Sequence, residues 1–139
     1  MTLTDRDVLV ALYHATAGAN WNRRRNWDTD ADLKTWYGVD VNNQGRVVEL
    51  RLGENNLKGE IPATLGQLGR LRQLHLRSNQ LSGQIPATLG QLGNLKELYL
   101  HGNQLSGEIP ATLGQLGNLE RLWLQSNQLS GEWLQAETN

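Results

Sequence analysis

The sequence contains no cysteine and no phenylalanine, a single methionine and three prolines. Without cysteine, neither a disulfide framework nor a thiolate metal site is open to it, so a chain of this size must hold itself together by packing. The same absence favours a reducing compartment, and the expected location is the cytoplasm. An excess of one charge is also missing: 13 Lys and Arg against 14 Asp and Glu leave a formal net charge of -1. Binders of nucleic acid or anionic lipid usually show a basic excess or a strongly basic face, so neither partner is expected. The one basic run, Arg23, Arg24 and Arg25 beside Trp21 and Trp27, is too short for a nucleic-acid patch and reads as a solvated loop. Long apolar runs are absent too, which argues against a membrane span. Asp5, Arg6 and Asp7 stand where a secretory signal would be apolar. At 139 residues and 38% hydrophobic, the chain suits one domain.

What is present is a repeat. Units of 24 residues begin at Val47, Leu71, Leu95 and Leu119, each opening as L-x-x-L-x-L-x-x-N-x-L-x-G with Val47 in place of the first leucine. Leu50 and Leu52, Leu74 and Leu76, Leu98 and Leu100, and Leu122 and Leu124 alternate with other residues at the period of a half-buried strand. One strand per repeat stacks into a parallel sheet. Asn55, Asn79, Asn103 and Asn127 follow each strand, where an amide with donors and an acceptor can satisfy buried backbone groups. Gly59, Gly83, Gly107 and Gly131, with Pro62, Pro86 and Pro110, mark the convex side where the chain turns back. This is the leucine-rich-repeat pattern, and its Ile-Pro and Leu-Gly elements resemble the plant-type class closely. The resemblance implies an α/β fold: a right-handed solenoid with a parallel β-sheet on its concave face and a helical and β-hairpin cap at the amino end.

A solenoid exposes its apolar stack at both ends, so the terminal segments must differ from the repeats. Three regions are therefore expected: a cap over residues 1–46, repeats over 47–132, and an end or truncated cap over 133–139. In the cap, Thr4 and Asp7 form a capping-box pattern ahead of a helix with Val8, Leu12 and Ala15 on one face and Leu9 and Tyr13 beside them. Gly18 is expected to end it. Trp21, Trp27 and Trp36 are read as packing over the open repeat edge, and Trp133 as a shield for the last leucine layer. Val39 to Leu52, turning at Asn42 to Gly45, reads as a hairpin into the first repeat. Trp36-Tyr37-Gly38-Val39 running into Gly45-Arg46-Val47 is similar to the amino-terminal cap of plant leucine-rich-repeat receptors. Where those caps carry cysteines, this chain has Lys34 and Val41. In that respect it resembles caps of algal and protist leucine-rich-repeat proteins, some joined to Roc-COR GTPase modules.

The repeats also differ from one another, and in one place. Between the units from Leu95 and Leu119 the changes over the shared opening are Lys96/Glu120, Glu97/Arg121, Tyr99/Trp123, His101/Gln125 and Gly102/Ser126. Strand side chains alternate, so the third, fifth and seventh positions leave the leucine core on the concave face. The convex stretch Ala-Thr-Leu-Gly-Gln-Leu-Gly meanwhile recurs unchanged from Ala63, Ala87 and Ala111. The central column is Arg51, His75, Tyr99 and Trp123, with two rings expected to stand exposed on adjacent strands. Glu49, Gln73, Glu97 and Arg121 flank it on one side, and Gly53, Arg77, His101 and Gln125 on the other. Arg, Tyr and Trp are hot-spot types, so these residues are the candidate binding face.

His75 and His101 fall diagonally on neighbouring strands, within reach of Glu97. They lack a third ligand motif, and a shallow sheet face excludes water poorly, so no catalytic residue, metal or cofactor is expected. The expected function is non-enzymatic recognition of a protein or peptide, in pathogen recognition or signalling as the resemblance implies. Three other readings stay open: an enzyme inhibitor acting through the same face, a structural or assembly role, and a designed consensus scaffold. A monomer is expected, with the carboxyl end as the surface for any self-association.

Overall fold

The computed structural model describes residues 2–131; Trp133 and the expected carboxyl-terminal region lie outside the described residues. The Thr4 hydroxyl accepts from the Asp7 amide and the Asp7 carboxylate accepts from the Thr4 amide, both at 3.1 Å, closing a capping box ahead of helix α1, Asp5–Ala15. These bonds to Thr4 hold the Asp7 carboxyl below its ordinary pKa. Val8, Leu9, Leu12 and Tyr13 are buried as the helical period requires, but Ala15 is exposed and Thr16 is buried in its stead. Nor does Gly18 end the helix. The chain reverses at Ala17, whose φ is 56°, and Gly18 is required for space: a Cβ there would stand 2.1 Å from Cδ1 of the Tyr13 ring.

Tyr13, Trp21, Trp27 and Trp36 form one aromatic cluster, with centroids 5.2 Å apart for Tyr13–Trp21, 4.7 Å for Trp21–Trp27 and 5.0 Å for Trp27–Trp36. All four are buried. Each indole N–H still finds a carbonyl: Trp21 donates to Thr16, Trp27 to Tyr37 and Trp36 to Ala31, so the burial leaves no indole donor unpaired. The cap is fastened to the repeats by polar contacts as well. Buried Asp5 accepts from the Arg46 guanidinium and the Val47 amide, each at 2.9 Å, and this pairing raises the Arg46 pKa further above its ordinary value.

Strands β1 (Val39–Val41) and β2 (Val47–Arg51) pair antiparallel as the hairpin. Along the repeats follow β3 (Lys58–Glu60), β4 (Gln73–His75), β5 (Gln80–Gly83), β6 (Glu97–Tyr99), β7 (Gln104–Glu108), β8 (Arg121–Trp123) and β9 (Gln128–Ser130). They make two sheets, ordered β1-β2-β4-β6-β8 and β3-β5-β7-β9. The first is the concave sheet of the solenoid. The second, all parallel, goes beyond the one strand per repeat that the sequence predicts. Its strands are polar, β3, β5 and β7 include a glycine, and each has a single leucine in or beside it (Leu57 just before β3, then Leu81, Leu105 and the half-buried Leu129), so they lack the alternation that marks a strand.

The back of the solenoid is a stack of 3-10 turns, Ala63–Gln67, Ala87–Gln91 and Ala111–Gln115. Here neighbouring repeats touch closely. The hydroxyls of Thr88 and Thr112 donate to the carbonyls of Ala63 and Ala87 one repeat earlier, at 2.6 and 2.7 Å. Thr64, in the first repeat, has no earlier repeat to bond, and its buried hydroxyl has no partner; helix α1 packs against its turn. A Cβ on Gly66 would lie 2.4 Å from the Thr88 carbonyl oxygen, and one on Gly90 2.5 Å from that of Thr112. The uniformity of this convex motif is therefore partly a packing requirement.

Candidate functional site

The register of the first sheet sets the columns. Glu49, Gln73, Glu97 and Arg121 align, and so do Arg51, His75, Tyr99 and Trp123. Leu50, Leu74 and Leu98, between those columns in sequence, are fully buried on the opposite side. Alternation along each short strand thus delivers two outward side chains per repeat from a leucine floor.

The outward rings do not stand apart. His75 and Tyr99 stack with centroids 4.3 Å apart at 10°, and Tyr99 and Trp123 stack at 4.5 Å and 12°. His101 meets Tyr99 and Trp123 edge-on, at 6.0 and 5.2 Å. Parallel strands in register hold identical positions roughly 4.8 Å apart, which is close to ring-stacking distance. Tyr99, expected to be exposed, is consequently only 9% exposed because its neighbours cover both faces. Trp123 ends the stack and is 43% exposed.

Three of the basic side chains in and around the stack are already paired. Arg51 bridges Glu49 and, at 2.8 Å, Asp40; Arg77 lies across Gly53 and reaches Glu54 at 2.6 Å. His75 Nε2 is 3.0 Å from Glu97 Oε1. Of the two histidines only His75 is at hydrogen-bond distance from Glu97; His101 is turned against the rings. Its Nδ1 is buried without a partner, and burial first, then the Arg77 and His75 charges, lowers its pKa. Interaction with Tyr99 first, and then with the Glu97 charge, raises the pKa of Arg121. Gln73 is half-buried, and Gln125 is exposed beside the open end of the stack. Among the described residues no three His, Cys, Asp or Glu side chains are grouped to hold a metal. The pairings were not read from the sequence, although Glu49 and Arg51, two apart on one strand face, carried the signal.

Below this face runs the asparagine ladder. Asn79 Nδ2 donates to the carbonyls of Leu52, Leu76 and Arg77, while its Oδ1 accepts from the amides of Asn55 and Leu57. Asn103 and Asn127 repeat the arrangement, with Oδ1 taking the amides of Leu81 and Leu105. Asn55 differs. Having no earlier repeat, it clasps the cap, accepting from the Arg23 amide at 2.7 Å and donating to the Arg23 carbonyl at 2.9 Å.

The family profile described as Leucine Rich Repeat matches residues 46–68 and 70–92, and that of Leucine Rich repeats (2 copies) matches residues 93–132. A search of curated protein sequences gives no match. Among solved structures, that of PEPR1-AtPEP1 is 30% identical with a TM-score of 0.80, covering 91% of this chain and 18% of that one. The ectodomain of the receptor kinase SOBIR1 from Arabidopsis thaliana is 28% identical, TM-score 0.69, over 91% of this chain and 68% of that one. The plant peptide hormone receptor RGFR1 in complex with RGF2 is 39% identical, TM-score 0.60, over 60% of this chain and 14% of that one. The chain thus spans less than a fifth of PEPR1 and of RGFR1. Profiles tiling every repeat, together with parallel strands stacked on a leucine core and held by an asparagine ladder, place the chain in the leucine-rich-repeat family.

Proposed function

We propose that the chain is a non-enzymatic recognition module that binds a protein or peptide on its concave face, with Trp123 as the anchor. The observation that carries this reading is the end of the ring stack: an indole 43% exposed, yet held by Tyr99 against its face and His101 at its edge. A ring already immobilised loses little freedom on binding, and tryptophan is the residue type most enriched at hot spots. The stacked rings form an apolar strip, and the pairs that Arg51, His75 and Arg77 make with carboxylates lie beside it, a mixture of apolar and polar surface of the kind interfaces use. RGFR1, a peptide hormone receptor, lends support to a peptide as ligand. Within the same proposal the cysteine-free chain works in a reducing compartment, the cytoplasm, and a role in defence or signalling follows from the plant-type resemblance.

The experiment is a random-peptide library selected on the intact protein, with each enriched peptide then titrated against Trp123→Ala. Loss of about 2 kcal/mol, roughly thirtyfold in affinity, is expected if the indole is the anchor. Peptides that bind both proteins equally well would place recognition elsewhere. Far-UV circular dichroism of the variant excludes unfolding as the cause.

A further inference from the structure

Away from the ring stack, three cations gather along the edge where the strands of the first sheet begin. Arg72 and Lys96 immediately precede β4 and β6, and Arg70 stands two residues before Arg72. Together with the amides of Asn42, Asn94 and Asn118 they line a groove of about 370 Å³, within the roughly 300–1,000 Å³ of ligand-sized sites. No carboxylate lines it. Other cations of the solenoid are compensated in part, Arg46 by Asp5, Arg51 by Asp40 and Glu49, and Arg77 by Glu54, while among the described residues Lys58 and Arg121 stand without an ion pair and apart from one another. Among the described residues Arg70, Arg72 and Lys96 have no such partner, although the chain as a whole is slightly acidic.

The groove rests on a fixed scaffold. The Arg72 amide donates to the Val48 carbonyl at 2.7 Å, that of Lys96 to Arg72 at 2.8 Å, and that of Glu120 to Lys96 at 2.8 Å. Asn94 and Asn118 donate to the carbonyls of Gly69 and Gly93 one repeat earlier, tying the loops together at 3.2 and 2.8 Å. Backbone needs are thus met internally, and the three charged heads are left for something else. Glu120 takes the place of Arg72 and Lys96 in the next repeat, which ends the basic row. A groove lined by one sign of charge concentrates counter-charged ligands, and arginine forks match carboxylates in pairs.

We infer that this groove is a second binding site, distinct from the concave stack, and that its occupant is an acidic peptide segment: extended chain of a partner protein carrying two or more carboxylates. Same-face side chains of an extended peptide recur about every 6.6–6.8 Å, a spacing that the flexible side chains of Arg72 and Lys96, on rungs roughly 4.8 Å apart, can meet. Three cations release too few counterions for firm binding of a nucleic acid. The asparagine amides supply partners for a peptide backbone.

The test titrates a fluorescein-labelled oligoglutamate peptide, with an oligoglutamine peptide and a single-stranded oligonucleotide as comparisons, against the full chain. Oligoglutamate binds more tightly than either comparison, and the Arg72→Ala, Lys96→Ala double variant weakens it about tenfold or more, the loss expected for charge-assisted hydrogen bonds. Arg72→Lys retains binding, and Trp123→Ala leaves it unchanged, which separates this site from the concave one. If the double variant does not fold, Arg70→Gln with Lys96→Gln takes its place. Oligoglutamine binding as well as oligoglutamate, the oligonucleotide binding more tightly than either, or a folded double variant keeping full affinity would each overturn the assignment.

Discussion

Asn79 commits its entire amide to five backbone partners, and alanine at that position strands two amides that water cannot reach. Leaving a buried group unpaired costs about 1–3 kcal/mol, so Asn79→Ala or Asn103→Ala is expected to lower the unfolding free energy by about that amount. Urea denaturation reads it, and an unchanged midpoint would contradict the ladder. The positions of these asparagines were legible because they recur at one spacing. Their acceptor partners were not, since those lie one repeat earlier and only the register reveals them. His101 shows the same gap between position and role. Packed against Tyr99 and Trp123, it has a pKa lowered from the ordinary 6.5, burial being the largest cause. As pH falls the unfolded chain therefore takes up that proton before the folded one does, and the stability contributed above 6.5 is lost below it. Between pH about 7 and about 5 the wild type should lose stability relative to His101→Gln. A stability gap that stays constant across that range would show that His101 is not the source.

At the scale of elements, the two faces of the solenoid obey different constraints. The convex motif repeats unchanged, and its constancy served as the contrast for a variable concave face. The structure divides that contrast: Thr88 and Thr112 are fixed by contact with the preceding repeat and Gly66 and Gly90 by contact with the next, whereas Gln67, Gln91 and Gln115 are exposed and constant all the same. The exposed positions, these glutamines among them, remain as the fair comparison. Two glycines three residues apart, Gly90 in the turn and Gly93 just after it, measure the difference. Gly90→Ala pushes a methyl against the Thr112 carbonyl and should destabilise by about 1–3 kcal/mol, as overpacking does, while Gly93, with nothing within 4 Å of its Cβ position, should accept alanine with little change. Thermal unfolding of the pair decides it, and equal melting points would mean the stack has room that the geometry denies. The first sheet was legible from leucine alternation; the second was hidden, because a strand that contributes one leucine and then a glycine carries no period to read.

Across the whole molecule, burial declines along the array. Leu71, Leu74, Leu76 and Leu81 are fully buried, as are Leu95, Leu98, Leu100 and Leu105, but Leu119, Leu122 and Leu129 are only half-buried. In a solenoid each layer is stabilised by its neighbours, so stability is close to a sum of local interface terms and need not be uniform. The rung that presents Trp123 is therefore the least secured of the four, and hydrogen exchange should be faster over residues 119–131 than at the matching positions of 95–107. A peptide anchored on Trp123 adds the missing contacts and should slow exchange in that last repeat, whereas an acidic peptide in the basic groove should protect the segment from Arg70 to Lys96. Mass-resolved exchange with each ligand separates the two footprints. Equal protection of all four repeats in the free protein would instead mean that the solenoid opens only as one unit, and the link between weak packing and the exposed indole would then be lost.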